Sequence, residues 1–200
     1  LVGISLVLAF TGAVWNIGSE GQIHMGMMVT TWIALFTALS SIPFLAKIVC
    51  VILAGVFGAL WAAIAGLLRA YAGIDEVPIT LMMNYIAYYI LDILVYGPWK
   101  GEYTYGYIRT DEIPHGMWFQ RVWIPGLPSL TATWEALLLA IVIGVLAWLL
   151  LKYTTIGLRI RVLGSNPDIL RSSGISVPLT IVLALTISGF VSGVVGAVYV

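Results

Sequence analysis

Long apolar runs alternate with short polar interruptions along this chain, at roughly residues 1–14, 22–40, 44–68, 77–95, 133–151 and 178–200. Most approach the about 20 residues that a helix needs to cross hydrocarbon. The pattern predicts an all-α, polytopic membrane helix bundle of about six spans, counting two cut by the chain ends. Residues 1–200 form one membrane domain on this reading, truncated at both ends. Leu1 opens directly on an apolar run and Val200 closes inside another, so the expectation is part of a longer chain.

The polar interruptions carry the local grammar. In Thr155–Ser176, Asn166-Pro167-Asp168 reads as a helix start: a side-chain cap, a ring suited to the first helical position, and a carboxylate on the positive end of the dipole. Gly174 supplies the stop, giving a helix of about two turns, too short to span. Trp15-Asn16-Ile17-Gly18-Ser19-Glu20-Gly21-Gln22 suggests a broken helix, with Ser19 and Gln22 spaced as a capping box. Two readings stay open. Asn16, Glu20 and Gln22 either line a substrate path, because irregular backbone at membrane depth needs protein or water around it, or they only cap helix ends and brace a bend.

Within the span 77–95, Thr80, Asn84 and Tyr88 follow one another at intervals of four and are read as one stripe. Asn84 must face protein or a cavity rather than lipid, either bonding the hydroxyls of a nucleoside or sugar or acting as interhelical glue. Asp92, nearer the helix end, can reach the interface. Ala54, Gly58, Ala62 and Gly66 place four small residues on one face of the span 44–68, a close-packing seam with a channel lining as the alternative. Gly189 and Gly193 form a second small-residue pair, and Pro43 fits the first turn of its span.

Charge gives the orientation. Segment 152–177 carries Lys152, Arg159, Arg161 and Arg171 against Asp168 alone. Loop 96–132 balances Lys100, Arg109 and Arg121 with Glu102, Asp111 and Glu112. The excess of basic residues makes 152–177 the cytoplasmic segment and 96–132 the extracytoplasmic loop. Counting back puts Arg69–Glu76 inside, Ser41–Pro43 outside, and Trp15–Gly21 on the inner side or at a break within the membrane. The outer loop holds Tyr103, Tyr105, Tyr107, Trp118, Phe119 and Trp123, an interfacial aromatic belt. Pro98, Pro114, Pro125 and Pro128 add the expectation of an ordered cap that meets a soluble partner.

Composition narrows the class further. Hydrophobic residues make up 61% and charged residues 9%, too little polar surface for a soluble core of this size. Net charge is zero, so no nucleic acid partner is expected. Cys50, the single cysteine, reads as an inert buried thiol. His24 has no second ligand at metal spacing, and no metal or cofactor is expected. The sequence contains no GxxxxGK[ST], HExxH, GxSxG or CxxC. Any uphill transport must therefore draw energy from a partner, and segment 152–177 is the place for it to dock. A self-contained secondary transporter or channel would need protonatable or ion-coordinating groups near the midplane, and a scaffold would have no path.

Three stretches together resemble one family: the permease subunits of bacterial and archaeal ABC importers for nucleosides and simple sugars, in the broader group that includes ribose and branched-chain amino acid permeases. Asn16-Ile17-Gly18-Ser19-Glu20-Gly21-Gln22 is similar to its NIGxEGQ. Glu76-Val77, Thr80-Leu81-Met82, Asn84-Tyr85-Ile86-Ala87 and Gly97-Pro98 resemble its EVxxTLMxNYIA and trailing GP. Gly157-Leu158-Arg159, Arg161, Gly164, Asn166-Pro167, Gly174-Ile175 and Ser188-Gly189 resemble its GLxxRAxGxNPxAAxxxGI and SG, with Val162-Leu163 and Ile169-Leu170 in place of small residues.

The resemblance implies a prokaryotic cell-membrane permease that is not itself an enzyme. Its coupling helix would lie in 155–176, with Arg159, Arg161, Gly164, Asn166, Pro167, Asp168, Arg171 and Gly174 as the coupling residues. The implied partners are an ATP-binding cassette subunit that carries out hydrolysis, a second permease subunit and an extracytoplasmic substrate-binding protein. The substrate would be a nucleoside or simple sugar, moved by alternating access, with a branched-chain amino acid as the alternative class within the same broader group.

Overall fold

The computed structural model describes residues 1–101, 106, 108–119 and 133–200, and the regular structure among them is helical. The order is α1 (Val2–Phe10), α2 (Ser19–Phe36), α3 (Pro43–Ala72), α4 (Glu76–Tyr96), α5 (Trp134–Tyr153), α6 (Thr155–Ser165), α7 (Pro167–Ser172) and α8 (Val177–Tyr199). Single 3-10 turns occur at Ala38–Ser41 and His115–Met117. The chain is a polytopic membrane helix bundle. Among the described residues α3, α4, α5 and α8 are long and apolar enough to cross a bilayer. α1 and α2 occupy the first two predicted runs, and α2 is the more polar because it includes Glu20, Gln22, His24, Thr30 and Thr31.

Helix ends follow local chemistry. Pro43 opens α3 at the first position. α3 then runs past the predicted residue 68 to Gly73, whose φ of 68° gives the left-handed stop that a side chain would resist. Asp75 caps α4 by accepting from the Val77 amide at 3.0 Å. Thr154 caps α6 through the Gly157 amide at 3.0 Å, and Asn166 caps α7 through the Asp168 amide at 3.0 Å.

α8 is the core of the bundle, packed by α3, α2 and α1. The two small-residue faces read from the sequence are each other's partners. A Cβ on Gly58 would lie 2.5 Å from the Gly189 carbonyl oxygen and 2.6 Å from the Gly193 Cα, and one on Gly66 would lie 3.0 Å from the Val182 Cα. Backbones this close maximise dispersion contact where no hydrophobic force acts between helices. α5 is the opposite case: none of its residues is buried.

Contacts sort the connections to two ends. At one end the α3–α4 turn, the α1–α2 connection and α6–α7 meet, through Arg69 to Glu76, Trp15 to Glu76, and Gly164 against Thr11. At the other, Lys47 Nζ donates to the Trp118 carbonyl at 2.8 Å, and Met117 packs with Val29, Ile33, Ala46 and Cys50. Cys50 is buried there, as expected. Expectations at Glu102, Tyr103, Tyr105, Tyr107, Arg121, Trp123, Pro125 and Pro128 lie outside the described residues.

Candidate functional site

The helix break is present between α1 and α2. The chain leaves α1 at Phe10, passes through Ala13 at φ 52°, and re-enters helix at Ser19. A left-handed alanine costs about 1–2 kcal/mol, so the surroundings must hold this turn in place. Asn16 is the brace. Its Nδ2 donates to Gln22 Oε1 at 3.1 Å and to Ser188 Oγ at 2.8 Å, while its Oδ1 accepts from Gln22 Nε2 at 2.9 Å and the Gly18 amide at 3.1 Å. Ser188 Oγ in turn donates to the Ser5 carbonyl at 2.7 Å, and Ser5 Oγ lies 2.7 Å from Ser192 Oγ. This buried polar chain joins α1, the break, α2 and α8.

The expected capping box does not form. Gly18 is the N-cap of α2 without a side-chain cap bond, and Ser19 already lies inside the helix. Gln22 turns to Asn16 instead, because a buried primary amide left without partners costs more than an uncapped helix start.

α4 locks the break from its other side. Asn84 Oδ1 accepts from the Gly21 amide at 2.8 Å, and its Nδ2 donates to the Ile17 carbonyl at 3.0 Å. Glu76, buried at the start of α4, accepts from the Trp15 amide at 3.3 Å and pairs with Arg69 Nε at 2.8 Å. Thr80 is buried and donates to the Glu76 carbonyl of its own helix at 2.7 Å. The stripe of Thr80, Asn84 and Tyr88 therefore divides. Each step of four overshoots a turn by about 40°, so Thr80 and Asn84 face protein while Tyr88 turns outward.

Beside the brace, between α2 and α4, lies a cavity of about 400 Å³ walled by Glu20, His24, Asn84, Tyr85, Tyr88 and Tyr89, with Leu81. A second space of about 560 Å³ follows towards the other end, between Met27 and Thr31 of α2, Leu91 and Val95 of α4, and the segment Ile108–Ile113. Of the five path candidates, Glu20 and Asn84 reach a cavity wall, whereas Asn16, Gln22 and Thr80 are engaged inside the bundle. His24, Tyr85, Tyr88 and Tyr89 complete the wall. Tyr88 had a sequence signal in its spacing, but the side of the helix it faces depends on what α2 covers.

The basic segment forms two helices rather than one. α6 carries Arg159 and Arg161 and was not foreseen as a helix; its signal was Thr154 preceding an amphipathic run. Gly157 lies so close to the Leu150 carbonyl that a side chain has no room, which lets α6 fold back sharply on α5. Gly164 sits equally close to the Thr11 carbonyl, in the break itself. Leu163 and Leu170 pack with Val14, Val177 and Leu185. Thus two of the residues larger than the resembled pattern serve internal packing, while Ile169 stays exposed. Arg161, Asn166, Pro167, Asp168, Arg171 and Gly174 are exposed and Arg159 half-buried. Arg171 pairs with Asp168 at 2.8 Å, a solvated pair worth little to stability.

Known proteins resemble this chain over most or all of its length. A nucleoside ABC transporter permease protein of Lactococcus lactis is 31% identical over 202 residues, covering 100% of this chain and 55% of its own. A guanosine ABC transporter permease protein of Bacillus subtilis is 27% identical over 197 residues, 98% of this chain and 55% of its own. A glucose ABC transporter permease protein of Haloferax volcanii is 27% identical over 187 residues, 88% of this chain and 47% of its own. The chain thus spans about half the length of the curated relatives it matches. No solved structure matches it. Residues 1–200 match one family throughout, and the chain belongs to it: the permease component of the branched-chain amino acid transport system.

Proposed function

We propose that this chain is the membrane-spanning part of an importer driven by ATP, with nucleosides as the substrate class and simple sugars second. ATP hydrolysis takes place in a separate cassette subunit that grips α6 and α7 on the cytoplasmic face of the cell membrane. A second permease subunit completes the path, and an extracytoplasmic binding protein delivers the substrate. The observation that carries this reading is the seat of α6 on the helix break: Gly164 lies against Thr11, and Leu163 packs with Val14. Movement of the exposed basic face would be passed straight to the turn that Asn16, Glu76 and Asn84 brace beside the cavity. Packed elements shift between discrete arrangements, so a small displacement there can bias two states of the bundle. The names of the relatives support the substrate class, with a glucose permease among them.

Among the described residues Arg159 and Arg161 have no acidic partner, which leaves their charge for another protein. Arg161→Glu in the full-length chain should abolish ATP-dependent uptake and co-purification of the cassette subunit while membrane insertion stays intact. Uptake at the wild-type rate by that variant would refute the coupling role.

A further inference from the structure

We infer that the cavity between α2 and α4 is a stacking site for the planar base of a nucleoside in transit. The inference rests on the importer reading and specifies what part of the substrate this cavity recognises. α4 runs from Glu76 to Tyr96, so its midpoint is residue 86, and Tyr85, Tyr88 and Tyr89 all lie within three residues of it. All three are exposed. Interfacial aromatic belts sit at the two ends of a span, and polar groups at mid-depth face a bundle interior or a water-filled space. These phenols therefore belong to a path rather than to a belt.

The ring geometry suits a flat guest. Tyr88 meets His24 at 6.0 Å and 68°, and Tyr89 at 5.8 Å and 72°. An edge-to-face contact leaves at least one face of each ring uncovered by that neighbour, and stacking on such a face is the common means of holding a base. Three polar side chains, Glu20, His24 and Asn84, stand beside the tyrosines in the wall. Asn84 is already bonded to the backbone at Gly21 and Ile17. Glu20, whose carboxylate can only accept when ionised, can take the N–H donors of a base edge. His24 adds a buried Nδ1 that has no hydrogen-bond partner among the described residues. A volume of about 400 Å³ falls within the range of small-molecule sites, and the second space in line along the same two helices makes the cavity part of a path.

The test uses the full-length chain in membrane vesicles with its cassette and binding-protein partners, and an azido-substituted purine nucleoside as the probe. Light should attach the probe to the α4 peptide holding Tyr85–Tyr89, with unlabelled nucleoside but not free ribose competing. Tyr88→Leu should lower both labelling and uptake about tenfold, whereas Tyr88→Phe, which keeps the ring, should retain them. Wild-type vesicles that import no nucleoside would overturn nucleosides as the substrate class in the proposed function. Wild-type uptake with Tyr88→Leu unchanged in labelling and rate would overturn the stacking site alone. Efficient disulfide linkage of two chains through Tyr88→Cys would also overturn it, by showing that a second copy covers this face.

Discussion

Among individual residues Asn16 is the brace of the helix break. Four hydrogen bonds converge on its side chain from Gln22, Ser188 and the Gly18 amide, all of them away from lipid. Asn16→Leu removes them and leaves Gln22 buried without its partner. Because hydrogen bonds within membrane bundles are individually modest, the expected loss is about 2–3 kcal/mol, read as a lower midpoint of thermal aggregation in detergent. Glu76→Gln keeps the shape but removes the charge that pairs with Arg69. As Arg69 is 40% exposed at its side chain, the cost should be about 1–2 kcal/mol by the same measurement, well below that of a fully buried pair. The residue types at 16, 22 and 84 marked themselves in the sequence as polar groups in apolar surroundings. Their roles were not legible, because Ser188 lies 172 positions from Asn16 and no local pattern relates the two.

Among elements, α3 and α8 are the most closely packed pair, and on the proposed function α6 is the part that moves. Gly58→Leu would force the Gly189 carbonyl and the Gly193 backbone apart, and about 3 kcal/mol of destabilisation is expected, seen as a fall in membrane-inserted, protease-resistant protein. Gly164→Val pushes against Thr11 at the break instead, outside the central seam. It should leave insertion and cassette binding near normal while reducing uptake severalfold, since it alters the contact through which α6 would act. Loss of assembly equal to loss of uptake would assign Gly164 to packing alone. Both small-residue faces were readable from spacing, and so was the cap that starts α7. Helix α6 escaped notice because its glycines at 157 and 164 read as loop punctuation, whereas in the folded chain they admit the backbones of Leu150 and Thr11.

For the whole molecule the contacts group the α3–α4 turn with α6–α7 at one end and the α2–α3 connection at the other, and the loop charges carry the expectation that the first end is cytoplasmic. Ser165→Cys and Ala72→Cys should then react with a membrane-impermeant thiol reagent only in inside-out vesicles, and Ser41→Cys only in right-side-out ones. Buried Cys50 keeps the background low. Labelling of Ser165→Cys and Ser41→Cys from the same side would overturn the grouping into two ends, and labelling of each from the other side would reverse the topology.

Sequence by itself determined what depends on near neighbours: the membrane class from apolar run lengths, the helix starts from capping residues, and the small-residue faces from a spacing of four. Tertiary structure alone decided which polar groups turn inward and which line a cavity. Asn16 pairs with Gln22 and finds a further acceptor only because α8 brings Ser188 to it, and Tyr88 meets a cavity because α2 covers Thr80 and Asn84 but not the next turn. A buried polar group must find its partners wherever the packing places them, and those partners lie across the bundle rather than along the chain.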